Sequence, residues 1–313
     1  MKHKIPYVSR TKIQAAATAG NILVNENVVS SNYKVKPFDV ISIVMSYPPR
    51  EIELVAEDIP VNIVYEDNDL VIINKEAGMV VHPGVGNHTG TLVNALAWHF
   101  KDLPMFGSDN LRPGLVHRID KNTSGLILVA KNEIAKNKLA KQFFDHTTHR
   151  RYMALVWGDF KEDSGTITGH IGRSVRDRKV MDIYPDGSFG KHAVTHYTVL
   201  KRFNFVTLVE CRLETGRTHQ IRAHMQHIGH PLFSDWEYGG DKILKGLNTG
   251  TYKKFVENCF ALCPRQALHA KEIGFVHPST RDFVKFDSDL PTDMTRLIEK
   301  WERYMSGEKE ESF

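Results

Sequence analysis

From about Ile63 onward the chain alternates short apolar, β-branched runs with polar connectors. The runs are Ile63 to Tyr65, Leu70 to Ile73, Leu126 to Val129, Tyr152 to Trp157, Thr195 to Leu200 and Phe205 to Leu213. Their lengths and β-branched content predict strands. Helical spacing is rarer. Ala135, Leu139 and Phe143 recur every four residues within Glu133 to His146, and Ile221, Met225 and Ile228 follow an i, i+4, i+7 pattern, with Gly229 placed as a C-cap and Pro231 just beyond. Strands outnumber helices, which predicts an α+β domain on a large mixed sheet. No internal repeat of fixed period interrupts that reading.

The first 50 or so residues stand apart. Ser9 suits a helix cap, Arg10 to Ala19 a helix, and Gly20 the left-handed residue that ends it; Ile22 to Asn25 and Val40 to Val44 suit short strands. Two prolines in Tyr47-Pro48-Pro49-Arg50-Glu51 then block any regular element, so the expected domains are 1–50 and 51–313. The polar tail after Met305 is expected to fray.

Composition narrows the class. The 313 residues are 41% apolar and 25% charged, an ordinary globular mixture that excludes disordered and collagen-like chains. No run approaches the roughly 18 apolar residues of a membrane helix, and Met1 to Pro6 lack an apolar signal segment, so no membrane partner and a cytoplasmic location are expected. Cys211, Cys259 and Cys263 cannot all pair; the last two are expected as buried thiols on a helix rather than metal ligands. A net charge of +4 permits an anionic partner without requiring one. The chain is expected to act as a monomer.

The segment richest in chemistry is Pro113 to Leu126. It sets Asp120 between an apolar entry and a Thr123-Ser124-Gly125 turn that feeds the strand at Leu126, so the carboxylate is expected on a loop leaving the sheet. Small polar residues beyond it can donate hydrogen bonds and fix its direction. On these residues alone Asp120 serves equally well to satisfy turn amides, and His117, Arg118 and Asp120 suit a metal or phosphate site. A cluster of His219, His224, His227 and His230 raises a metal-dependent hydrolase as an alternative, although their spacing is not that of a zinc helix. Arg173, Arg176, Arg178 and Lys179 form a basic run suited to phosphates.

His117-Arg118-Ile119-Asp120-x-x-Thr123-Ser124-Gly125 resembles the signature of the RluA-type pseudouridine synthases, with Ile119 where leucine is usual. Further segments agree in order: Asn74 to Pro83 resembles the opening motif, with Glu76 where proline is common, Arg151 to Val156 the tyrosine segment, and Leu213 to Met225 the closing motif. The likeness spans about Leu54 to Phe286. It implies the pseudouridine synthase fold, with a large mixed, mainly antiparallel sheet and a central active-site cleft. The N-terminal helix and sheet resemble the second half of an S-four-like RNA-binding module, which implies RNA contacts at Arg10 and Lys12.

The resemblance further implies an isomerase that turns uridine into pseudouridine and needs no metal or organic cofactor. Its expected RNA partner is large-subunit ribosomal RNA or a pre-ribosomal particle. Asp120 is then the essential carboxylate and Arg222 its counter-charge, while Tyr152 stacks on uracil and serves as the base for the ring proton. Ile221 packs on the uracil's other face, Arg118 fills the space left by the extruded nucleotide, and His117 also binds substrate. A non-catalytic RNA-binding assembly factor is the alternative from another class; retention of Asp120, Tyr152 and Arg222 argues against it.

Overall fold

The computed structural model describes residues 10–44, 54–84, 86–103 and 113–307. Ser9, the Tyr47 to Glu51 boundary and the tail beyond Gly307 lie outside them. The chain divides into two compact units, Met1–Ile52 and Glu53–Phe313.

In the first unit, α1 (Arg10–Thr18) precedes β1 (Ile22–Val24), β2 (Asn27–Val28) and β3 (Ile41–Ile43), which form an antiparallel sheet of order β2-β1-β3. Ala17, Ile22 and Val24 are its buried apolar residues. The two-residue β2 has no periodicity to find. It exists because Asn25 and Glu26 both take positive φ, a tight reversal that folds Asn27 and Val28 back onto β1.

The second unit runs β4 (Ile63–Glu66), β5 (Leu70–Lys75), α2 (Leu92–His99), β6 (Ser124–Ala130), α3 (Glu133–Phe144), β7 (His149–Trp157), β8 (Ser164–Arg173), β9 (Met181–Tyr184), β10 (Lys191–Arg202) and β11 (Val206–Leu213). It ends with α4 (Gln220–His227), α5 (Gly250–Leu262), β12 (Leu268–Val276), β13 (Phe283–Asp287) and α6 (Thr292–Ser306). Ten strands form one sheet of order β4-β5-β6-β12-β7-β11-β10-β8-β9, with β13 paired to β12. Among the described strands only β6 and β12 run parallel, so the unit is α+β with a mixed, mainly antiparallel sheet.

Alternation along β7 sorts the core. Met153, Leu155 and Trp157 face α5 and α6, packing with Val256, Cys259, Leu297 and Trp301. Tyr152, Ala154 and Val156 face the other way and pack with Ile221 and Met225 of α4 and with Ile119. Every residue of β6 is buried because both faces are covered, which is why it appears in the sequence as one unbroken apolar run.

Four strands of this sheet carry no apolar run in the sequence. β8 contains Gly165, Gly169 and Gly172, and a Cβ at these positions would lie 2.6, 2.6 and 2.5 Å from Tyr197, Ile183 and Phe189. The glycines make room for neighbouring side chains, a tertiary requirement that resembles loop composition in one dimension. In β12, His269 and Glu272 break the apolar pattern, yet both are buried. His269 bonds Ser124 and Ser288, and Glu272 pairs with His149 and Arg151.

Candidate active site

The loop before β6 is held from several sides. Gly125 has φ +113°, and a Cβ there would lie 2.3 Å from the Ala270 carbonyl, so only glycine lets β6 start against β12. Upstream, the Thr123 amide donates to the Asp120 carbonyl at 3.1 Å, closing a turn. Two buried cations then grip the main chain just after Asp120. Lys75 Nζ donates to the carbonyls of Lys121, Met79 and Glu76, and the Arg265 guanidinium donates to the Asn122 carbonyl while its other nitrogens bond Asp293 in the first turn of α6. Burial, aided by the charge of Arg265, pushes the Lys75 ammonium down to about 7, with Asp120 opposing the shift.

Asp120 emerges from this loop into a cleft of about 430 Å³ lined by Arg118, Tyr152, Ile221, Arg222 and Leu268 among others. Opposite stands α4, whose first turns present Ile221 and Arg222 inward, and which ends at Gly229 with φ +83°. Arg222 Nη1 lies 3.3 Å from Asp120 Oδ2. That pair is the weakest of three. Nε and Nη2 both bond Asp235, each at 2.7 Å, and Nη2 also reaches Glu237. The Tyr238 ring covers the guanidinium at 4.8 Å, and its hydroxyl bonds His219 Nδ1 and accepts from the Met181 amide of β9. Arg222 is thus aimed by Asp235, which is fully buried, and only its remaining edge faces Asp120.

Tyr152 is buried beside Asp120, and burial pushes its phenol up; the Arg150 guanidinium pulls it back and the Asp120 charge adds to the rise. In the resting protein it is a neutral aromatic face. Ile221, also buried, belongs to the same apolar cluster. Arg118 is exposed at the cleft and Asp120 partly so.

His117 also lines the cleft, but its acceptor is already engaged. Its Nε2 takes the Leu128 amide of β6 at 2.8 Å and its ring stacks on Phe143, while burial, aided by Arg150, pushes its pKa down to about 3. The geometry therefore gives His117 a structural task, pinning the Asp120 loop to β6. The basic run falls in the β8 to β9 turn. All four residues are exposed; Arg173, the last residue of β8, also donates to the Arg178 carbonyl and ties the turn together. Arg10 and Lys12 belong to α1 in the other unit. Among the described residues no group of three or more His, Cys, Asp or Glu is arranged to hold a metal. His224 bonds Thr195, and His230 the Trp157 carbonyl.

Sequence patterns gave no site role to Asp235, Glu237, Tyr238, Lys75, Arg150 or Arg265, although Lys75 lies within the Asn74 to Pro83 motif. The run Asp235-Trp236-Glu237-Tyr238 was legible as acidic and aromatic, but nothing in one dimension joins it to Arg222.

Comparison with known proteins agrees with the geometry. A family model described as RNA pseudouridylate synthase matches residues 69–227. The chain is 45% identical to an uncharacterized RNA pseudouridine synthase of Chlorobaculum parvum, over 98% of this chain and 94% of that one. It is 40% identical to ribosomal large subunit pseudouridine synthase D of Zymomonas mobilis, over 94% and 90%. Among solved structures it resembles human RNA pseudouridylate synthase domain containing 4, with a TM-score of 0.60 and 25% identity, covering 77% of this chain and 93% of that one. A carboxylate loop with this signature, set on this sheet and matched along nearly the whole chain, places the protein in the RluA-type family of RNA pseudouridine synthases, isomerases that act on RNA.

Proposed function

We propose that this protein isomerises specific uridines of large-subunit ribosomal RNA, with Asp120 as the carboxylate that acts at the sugar. The observation that carries the proposal is Asp120 standing between an arginine and a buried tyrosine in a cleft sized for one extruded nucleotide. The reaction breaks the bond from uracil N1 to C1′ of the ribose, turns the base, and joins C1′ to C5. C5 then loses its proton and N1 gains one. Neither an oxidant nor water is consumed.

Asp120 stabilises or attacks the sugar as the first bond breaks. Arg222 supplies the counter-charge that keeps the carboxylate pointed into the cleft. Tyr152 and Ile221 face the base from two sides, and the phenol is the candidate acceptor of the C5 proton. Arg118, exposed and unpaired by any described carboxylate, suits the gap the nucleotide leaves. The exposed Arg176, Arg178 and Lys179 are positioned for phosphates beyond the cleft, since Tyr238 ties their hairpin to the site. The first unit, as an S-four-like module carrying Arg10 and Lys12, adds a second RNA contact. The ribosomal assignment is supported by the names of relatives such as the Zymomonas mobilis and Neisseria meningitidis proteins, both ribosomal large subunit pseudouridine synthase D. A cytoplasmic site of action is supported by cysteine usage, since Cys211, Cys259 and Cys263 are buried, odd in number and too few to staple a chain of this length by disulfides.

Position-resolved mapping of pseudouridine in ribosomal RNA from a deletion strain, complemented with wild type or Asp120→Asn, tests both parts. Wild type restores the missing sites and Asp120→Asn does not, although it still binds RNA. Asp120→Asn conversion within tenfold of wild type on a stem-loop would sink the role of the carboxylate. An unchanged large-subunit map would sink the ribosomal assignment.

A further inference from the structure

Among the described residues of the second unit, four lysine or arginine side chains are buried: Lys75, Arg150, Arg222 and Arg265. Arg222 has Asp235, Glu237 and Asp120, and Arg265 has Asp293. Lys75 has only carbonyls, but an ammonium can shed its proton when burial demands it. Arg150 has neither remedy. Among the described residues no carboxylate pairs with it, its Nη2 donates only to the carbonyls of Leu213 and Glu214, and its Nε is sealed without a partner. A guanidinium stays charged under all ordinary conditions. An uncompensated buried charge is among the more costly features a fold can keep.

Its surroundings explain why the charge is kept. Arg150 lies two residues before Tyr152 on β7, so both side chains project to the cleft face, and it lines the cleft. The Phe143 ring lies 5.6 Å below its guanidinium. On the other side, a Cβ at residue 216 would come within 2.8 Å of Nη1, so Gly216 leaves that nitrogen room. Nη1 has no hydrogen-bond partner among the described residues. Of the described acidic residues only Asp120 lines the cleft, against Arg118, Arg150, Arg217 and Arg222.

From this imbalance we infer that Arg150 is a built anion site whose ligand is one phosphodiester of the bound RNA, at a linkage flanking the extruded uridine. The inference rests on the proposed use of this cleft for uridine and adds to it the group that fixes the strand's register there. The RNA supplies the missing counter-charge, so the cation stabilises the complex. Arg118 is exposed and Arg217 already donates to the His192 carbonyl, so neither is organised in advance to the same degree.

The test uses the full-length protein and a uridine-containing stem-loop that wild type converts. Arg150→Gln keeps the planar, hydrogen-bonding shape without the charge. Its dissociation constant should rise about tenfold at low salt, and the slope of log affinity against log salt should lessen by about 0.7 to 0.9, one phosphate's share. The rate at saturating RNA should fall by less than about threefold, and Arg150→Lys should recover most of the affinity. A methylphosphonate placed in turn at each flanking linkage should weaken wild type at one position and leave Arg150→Gln indifferent to it. Should Arg150→Gln fail to fold, that series on wild type and Arg150→Lys still decides: no sensitive linkage overturns the inference. Loss of rate with unchanged affinity and salt slope also overturns it, assigning the cation to the departing uracil instead. If wild type converts only RNA from outside the large subunit, the ribosomal assignment fails while the same measurements on that RNA still judge Arg150.

Discussion

Removing Arg222 should damage the fold as well as the chemistry. Beyond its role as counter-charge to Asp120, the arginine holds a buried carboxylate. Two of the arginine's bonds, both at 2.7 Å, go to Asp235, whose surface is 0% exposed and whose carboxylate has no other described partner. Arg222→Met, which fills similar volume without charge, would leave Asp235 bare in the interior. Removing one partner of a buried pair typically costs about 3–5 kcal/mol. Glu237 and Asp120 should add little, because their side chains are 20% and 19% exposed and can recover water. At roughly 2 °C per kcal/mol for a chain this large, the melting transition of the catalytic unit should fall by about 6–10 °C. Arg222→Met with Asp235→Leu removes the orphaned carboxylate and should recover at least half of that loss. It should recover none of the pseudouridine formation, since Asp120 still lacks its arginine. Thermal and urea unfolding of wild type, both single variants and the double variant form a complete cycle. A loss below about 1 kcal/mol for Arg222→Met, or a double variant no more stable than Arg222→Met, would refute the claim that Asp235 anchors the arginine.

Stability should also fall in mild acid. His117, His224 and His269 are held neutral, with pKa values pushed down to about 3, 4 and 4, first by burial and then by nearby cationic or histidine side chains. Between about pH 6.5 and those values the unfolded chain binds protons that the folded chain refuses, so stability rises with pH across that window and is lost as pH falls through it. Each histidine contributes up to about 1.4 kcal/mol per pH unit. His117→Gln, which keeps an acceptor for the Leu128 amide, should show a shallower decline from pH 6.5 to 4.5 in urea melts, and an unchanged slope would contradict the assignment. Tyr152→Phe should retain RNA binding but stall after C1′ is joined to C5, because it removes the phenolic oxygen proposed as acceptor of the C5 proton. Digestion and chromatography of the RNA would reveal the arrested species, and wild-type turnover would exclude the phenol as base.

Much of the catalytic unit was legible because its signals are local. β6 is covered on both faces, so a continuous apolar run announced it. α4 has one apolar stripe and a glycine stop, and those are sequence features too. Asp120 could be found because a turn of small residues must follow it wherever the loop lies. β8 and β12 were hidden for the opposite reason. Glycines accommodating Tyr197, Ile183 and Phe189, and buried polar residues such as His269 and Glu272, have meaning only beside partners distant in sequence. The same distinction governs the site. The sequence by itself determined the α+β class, the family and the position of the candidate carboxylate, since these depend on short patterns of neighbouring residues. Only the tertiary structure decided that Arg222 is aimed by Asp235, that His117 is occupied by β6, and that Arg150 is left without a counter-ion. Charge compensation is set by distance and burial, and neither is written in the order of residues along the chain.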